Sequence, residues 1–223
     1  MDKSYAYVAL LDVLGYRKFL EADRQAGTLE FKDRLQAAIA VLADLNEGEY
    51  PYQAISDTII ISSTDRSGFI GFCGVVKKVY IAFLGQGLLV RGGITFSQHF
   101  KSGPITYSHA VASSYALESG SAIVPRVMIS SDVLDLQENQ GTHLAGSGLV
   151  CQQNGSAFLD VVDEGNVAKL YSLAKSLYVR EMDNIKTVES AFMKHLWLEY
   201  YLTTHRWAKG ALKRKYIDGI LPS

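Results

Sequence analysis

Apolar residues recur along this chain with two different periods. Tyr5 to Leu11 (YAYVALL) is a short continuous apolar run rich in β-favouring residues, the pattern of a buried central strand. It runs into Asp12-Val13-Leu14-Gly15-Tyr16, after which Leu35, Ile39 and Leu42 recur at helical spacing until Asn46-Glu47-Gly48-Glu49 breaks the pattern. Tyr50 to Ser56 and Thr58 to Ser62 read as two strands of a hairpin with Asp57 at its tip. Ser67 to Leu84 reads as an apolar helix despite Gly68, Gly71 and Gly74. Leu88 to Phe96 (LLVRGGITF) reads as a strand in which Gly92-Gly93 marks a close backbone approach. Tyr107 to Ser119 predicts a helix, Pro125 to Ile129 a strand, and Phe158 to Val162 one more strand. Leu136 to Gly155, rich in Gly, Gln and Asn, reads as a surface excursion, and Ile185 to Arg206 as the longest helix, apolar at Val188, Phe192 and Leu196. Strands alternating with helices predict a single sheet covered by helices, of the α/β or α+β class.

Composition narrows the function. The chain has 223 residues, 48% hydrophobic and 20% charged, with Lys plus Arg 22 against Asp plus Glu 23 and a formal net charge of −1. That balance lacks the basic excess of a duplex-binding domain, while leaving room for a local groove for one triphosphate. Cys73 and Cys151 form no Cys-x-x-Cys pair and read as reduced, buried thiols. The N-terminus carries no secretory pattern, and Asp12 and Lys77-Lys78 interrupt the longest apolar stretches, so a cytoplasmic protein is expected. His99, His109, His143, His195 and His205 have no zinc spacing, and no Gly-x-x-x-x-Gly-Lys-Ser/Thr loop occurs.

Two acids occupy chemically similar places. Asp12 closes an apolar strand ahead of a glycine and a helix; Asp57 lies between strand-like runs 45 residues later. A carboxylate at the end of a buried strand is costly unless paired, hydrogen-bonded or metal-bound. Two of them on neighbouring strands make an oxygen-rich site suited to Mg²⁺ or Mn²⁺. Taken singly, Asp12 also fits a helix N-cap and Asp57 a hairpin-turn residue.

Asp12-Val13-Leu14-Gly15-Tyr16 resembles the first metal motif of class III nucleotidyl cyclases, Asp-Ile-x-Gly-Phe after an apolar strand. Ser56-Asp57 resembles the second, Gly-Asp at a hairpin, with Ser in place of Gly. Arg91-Gly92-Gly93-Ile94 is similar to the Arg-x-Gly-Ile strand that follows, and Ser108 through Glu118-Ser119 to the dimer-proximal helix, which also ends in Glu-Ser. The resemblance covers residues 5 to about 130, in the family's order. It implies an α+β, ferredoxin-like sandwich: a central, mostly antiparallel sheet flanked by helices. It places a cyclase domain at 1–180 and, at 181–223, a C-terminal helical extension packed on it.

The implied chemistry is specific. Two Mn²⁺ or Mg²⁺ ions are held by Asp12, Asp57 and the Val13 carbonyl, and the amides of Leu14, Gly15 and Tyr16 cradle the phosphates of a nucleoside triphosphate. Gly15 is expected because a side chain there would block that approach. Gln53 and approximately Ile105 stand where adenylate cyclases carry the Lys and Asp that read adenine, and Ala112 and Ala116 stand near the family's transition-state Asn and Arg. These variants look closest to the bacterial pyrimidine cyclases of Pycsar antiphage systems, which make cyclic UMP or cyclic CMP. Tyr50 and Tyr52, beside Gln53, are candidates for a pocket wall advanced toward a smaller base, or else ordinary strand residues. Arg91 either meets phosphate charge or pairs with Glu118; Arg126 carries the same ambiguity, and Lys194 reads as a solvated helix residue. The resemblance thus implies a head-to-tail homodimer turning UTP, or CTP, into a 3′,5′-cyclic nucleotide that acts on a separate effector, without nucleic acid or membrane. The alternatives are an inactive cyclase-like binding module, and two-carboxylate chemistry on nucleic acid, against which the charge balance counts.

Overall fold

A computed structural model describes residues 4–43, 45, 47–102, 105–144 and 146–217. The chain divides into two compact units, Met1–Asp160 and Val161–Ser223. The expected boundary at 180 lies at the end of a helix inside the second unit.

The first unit is built on one sheet. Strands β1 (Tyr5–Val13), β2 (Tyr52–Ile55), β3 (Thr58–Ser63), β4 (Val90–Ser102), β6 (Val127–Ile129), β7 (Val150–Gln153) and β8 (Ser156–Leu159) lie in the order β2-β3-β1-β4-β6-β8-β7, and β5 (Ile105–Ser108) pairs with β4. Among the described residues only the β4–β6 pairing is parallel. Between the strands run α1 (Tyr16–Ala26), α2 (Glu30–Ile39), α3 (Phe69–Gly85), α4 (His109–Ser121) and α5 (Ser131–Asn139). The first four strands of the path, with α1–α2 and α3 as crossovers, form the split β-α-β-β-α-β arrangement. The α+β, ferredoxin-like, mostly antiparallel sheet expected from the sequence is therefore the fold of this unit.

Helices cover both faces. On one face Tyr7 meets Phe69 and Phe72 of α3, with ring centroids 5.2 and 5.8 Å apart. On the other, Ala6 and Val8 pack on Ala110 of α4, joined by Ile60 and Val111. Alternation along β1 sends Asp12 to the α4 face together with Ala6, Val8 and Leu10. Gly93 is the close approach expected of the glycine pair: a Cβ there would lie 2.6 Å from the Ser114 carbonyl oxygen of α4.

Three expectations change. The excursion at 136–155 contains the end of α5 and strand β7, whose Val150–Gln153 pairs with β8. The helix expected from Ile185 to Arg206 is two, α7 (Met182–Thr187) and α8 (Glu189–Thr204), because Val188 is extended at φ −126° and ψ 101°. β4 outruns its predicted end and doubles back as β5, taking the first residues of the helix expected from Tyr107.

In the second unit α6 (Val167–Arg180) and α8 pack together, with Leu170, Ala174 and Leu177 of α6 and Ala191, His195, Leu198 and Leu202 of α8 buried at helical spacing. Buried Glu199 accepts the backbone N–H groups of Tyr216 and Ile217. Among the described residues no helix is long and apolar enough to cross a membrane.

A candidate carboxylate centre at the end of the sheet

Register puts the chemistry at one end of the sheet. Asp12 lies opposite Thr58 of β3 on one side and opposite Arg91 of β4 on the other. Asp57 sits one residue before β3 in the two-residue connection from β2, and its carbonyl accepts the Val13 N–H at 3.0 Å. The Asp12 and Asp57 side chains come within hydrogen-bonding reach of each other. Adjacent antiparallel strands thus bring together the two acids that are 45 residues apart in sequence.

Arg91 is the guanidinium of this cluster. Its Nε is 3.3 Å from Asp12 Oδ2 and 2.5 Å from Glu118 Oε1, and its Nη1 donates to the Ala122 carbonyl at 3.4 Å. Of the two readings of Arg91, the pairing with Glu118 is present. The Glu118 contact is one of charge and proximity; its angle makes no hydrogen bond, and Oε1 is buried without a hydrogen-bond partner. Burial, reinforced by neighbouring Asp57, holds the Asp12 carboxyl above its ordinary range, against the pull of Arg91. Burial likewise raises Glu118; Arg91 opposes the rise, and Asp12 and Asp57 add to it.

Glu118 joins the cluster beside Arg91 and Asp12, beyond the Arg91 pairing expected from the sequence. Its signal was available: an acid on the face of α4 that also buries Ala110 and Ser114. Asp12 and Glu118 share the Arg91 guanidinium, and Asp57 stands beside Asp12; the Asp12 and Asp57 carboxylates are the hard-oxygen pair that suits Mg²⁺ or Mn²⁺.

The strand-to-helix turn is shaped by Gly15, whose φ of 84° is the left-handed region. A Cβ there would meet only Phe19, at an ordinary 3.7 Å, so within the fold it is conformation, not crowding, that calls for glycine. Of the three amides expected to face phosphates, that of Leu14 is spent on the Leu89 carbonyl at 2.9 Å and is not offered to a ligand. The Gly15 and Tyr16 amides have no acceptor among the described residues, as befits the open first turn of α1.

The remaining candidates separate by face. Gln53 pairs across from Ile60 and so lies on the Asp12 face, lining a shallow recess with Tyr52, Ile60, Ser62, His99 and Thr106. Tyr52 pairs across from Ile61, so the pleat alternates it with Gln53, and it still borders this recess. Tyr50 is directed elsewhere. Its hydroxyl lies where a Cβ on Gly71 of α3 would come within 2.8 Å, and a hydrogen bond with Glu49 helps push its pKa up to about 12. The side chain of Ile105 lies outside the described residues. Ala112 and Ala116 sit on the exposed side of α4. Arg126 is half-buried, donating to Gln153 and to the Ser121 carbonyl.

The hairpin tip is strained. Ser56 adopts φ 60°, and Asp57 does not share the positive φ. In a two-residue hairpin, positive φ at the first central position alone is the conformation that favours glycine there. A non-glycine residue held in such a region costs of order 1–3 kcal/mol and persists where its surroundings fix it. Here the Ser56 hydroxyl meets the Tyr16 hydroxyl at 2.9 Å.

No family model matches the chain, and no curated protein does. Among solved structures, it is similar to the guanylate cyclase domain of RhGC from Catenaria anguillulae in complex with GTP, at 11% identity and TM-score 0.46, covering 70% of this chain and 94% of that one. It is similar to the monomeric guanylyl cyclase domain of the RhoGC fusion protein from the aquatic fungus Blastocladiella emersonii, at 10% identity and TM-score 0.47, covering 70% and 94%. A bacterial light-regulated adenylyl cyclase is similar at 12% identity and TM-score 0.46, covering 78% and 98%.

Proposed function

We propose that this protein is a nucleotidyl cyclase that converts a pyrimidine nucleoside triphosphate, UTP ahead of CTP, into its 3′,5′-cyclic nucleotide and pyrophosphate. The observation that carries this is the juxtaposition of Asp12 and Asp57, with Glu118 behind them, at the end of the central strands. It joins the first and second metal motifs that the sequence resembles. The Asp12 and Asp57 carboxylates, with the Val13 carbonyl, would hold Mg²⁺ or Mn²⁺. When bound, the ions supply activation of the ribose 3′-hydroxyl and neutralisation of the departing pyrophosphate.

The chain's own groups do the rest. The Gly15 and Tyr16 amides meet phosphate oxygens at the first turn of α1. Gln53 reads the base from the Asp12 face with an amide in place of a charge. Arg91, tied to Glu118, orients Asp12. The reading includes a head-to-tail homodimer, cytoplasmic location and a role as second-messenger source in antiphage defence, each following from the resemblance to pyrimidine cyclases.

Incubation with each of the four ribonucleoside triphosphates and Mn²⁺, followed by chromatography of the products, tests the assignment. Cyclic UMP or cyclic CMP is expected. Nucleotide binding without a cyclic product would make the chain an inactive cyclase-like module instead.

A further inference from the structure

The two hydroxyls that meet across the site belong to different elements. Tyr16 is the first residue of α1, beside the amides proposed to face phosphate; Ser56 is the residue before Asp57 at the hairpin tip. We infer that the Tyr16–Ser56 hydroxyl pair is a clasp that locks the hairpin tip and so keeps the Asp57 carboxylate facing Asp12, making Tyr16 a positioning residue for the metal centre. This rests on the cyclase reading for its purpose, though not for its geometry.

Three observations converge on it. The bond is 2.9 Å long and joins residues 40 apart. Its Ser56 end is in the left-handed region, where a serine stays only if something holds it. Its Tyr16 end is braced: the ring packs edge-on against buried Phe31 at 5.4 Å, and Phe31 stacks on Phe19 at 5.0 Å. Arg34 lies over Phe19 and donates to the carbonyls of Gln86 and Gly87 at 2.9 and 2.7 Å. The Tyr16 hydroxyl is thus anchored to the body of the unit, while the tip it holds is exposed at Ile55 and Ser56. The backbone bond from the Val13 N–H to the Asp57 carbonyl ties Asp57 to β1, and it fixes the main chain, not the carboxylate. Relaxation of Ser56 to negative φ would turn the following residue and swing Asp57 from Asp12.

The test uses the full chain with two readouts: amide hydrogen exchange of residues 55–58 in the metal-free protein, and Mn²⁺ affinity by titration of free Mn²⁺ in electron paramagnetic resonance. Tyr16→Phe and Ser56→Ala are each expected to speed exchange at the tip and weaken Mn²⁺ binding about five- to tenfold, the worth of one net hydrogen bond. The Tyr16→Phe/Ser56→Ala double variant should be no worse than either single, because both remove the same bond. Ser56→Gly in the Tyr16→Phe background should recover most of the loss, since glycine takes φ 60° without strain. Additive losses, or unchanged exchange in Tyr16→Phe, would overturn the clasp. A wild type that makes no cyclic nucleotide overturns the cyclase reading instead, and one that binds no Mn²⁺ does the same while exchange still decides the clasp.

Discussion

Replacing Gly93 by alanine would test whether helix α4 and the carboxylate centre are held by one close approach. The added Cβ would lie 2.6 Å from the Ser114 carbonyl oxygen, 3.1 Å from Leu117 Cβ and 3.3 Å from the Glu118 amide nitrogen. The nearest atom is helix backbone, so no side chain can swing aside. To reach tolerable contact α4 must recede by about 0.4–0.8 Å. Two buried bonds stretch with it: Thr95 Oγ1 to Ser114 Oγ at 2.7 Å, and Ser114 Oγ to the Val8 carbonyl at 3.0 Å. Overpacking costs about 1–3 kcal/mol and weakened hydrogen bonds add about 1, for a loss of roughly 2–4 kcal/mol.

In a chain of this size that lowers Tm by roughly 5–15 °C, readable by circular dichroism. Glu118 moves with the helix, so Mn²⁺ binding should weaken as well. A Gly93→Ala protein melting within about 1 °C of wild type, with the same Mn²⁺ affinity, would refute the packing argument and the link to the site.

Other outcomes follow from the same geometry. Asp57→Ala should abolish cyclic nucleotide formation and leave the far-ultraviolet circular dichroism unchanged, because the residue is at a hairpin tip; full turnover would remove the metal-site proposal. Mn²⁺ at a hundred times its Kd should stabilise wild type by about 2.7 kcal/mol in thermal melts, and Asp12→Asn should lose that increment. In chelator-treated protein, the raised Asp12 and Glu118 carboxyls favour the fold when protonated. Their stabilisation is full below the ordinary carboxylate pKa of about 4 and is lost as pH rises through the elevated native value. Urea midpoints should therefore fall with rising pH across that window less steeply in Asp12→Asn than in wild type.

Much of the sheet was legible because burial on both faces writes strands as apolar runs. Tyr5 to Leu11 and the Asp57 hairpin are β1 and β2–β3. The apolar run at Ser67–Leu84 forms α3 despite its glycines, and Gly71 accommodates the Tyr50 hydroxyl. What stayed hidden depends on pairing. Val150–Gln153 has little apolar content and becomes β7 only because β8 supplies the ladder. The break at Val188 is one extended residue inside a helical pattern. At the site, motif order located Asp12 and Asp57, but which face a residue occupies is a matter of register. Tyr50 and Tyr52 stand within three residues of Gln53 in sequence, yet only Tyr52 borders the Gln53 recess, while the Tyr50 hydroxyl goes to Gly71 of α3.

The electrostatics of the centre explain why Arg91 belongs to the fold before it belongs to any ligand. With every group ionised, Asp12, Asp57 and Glu118 against Arg91 leave a net charge of −2 in a partly buried space. Desolvated like charges raise each other's pKa, which is the direction found for Asp12 and Glu118. A guanidinium free to swing would settle on Asp12 and compete with a cation for the same oxygens. In this arrangement Nε–H donates to Asp12 Oδ2 at 3.3 Å, and Glu118 shares the same nitrogen by charge at 2.5 Å. The Ala122 carbonyl holds the other end of the fork. Asp12 is therefore oriented by a guanidinium that it shares with Glu118, and the negative charge left over favours divalent cations at the Asp12–Asp57 end.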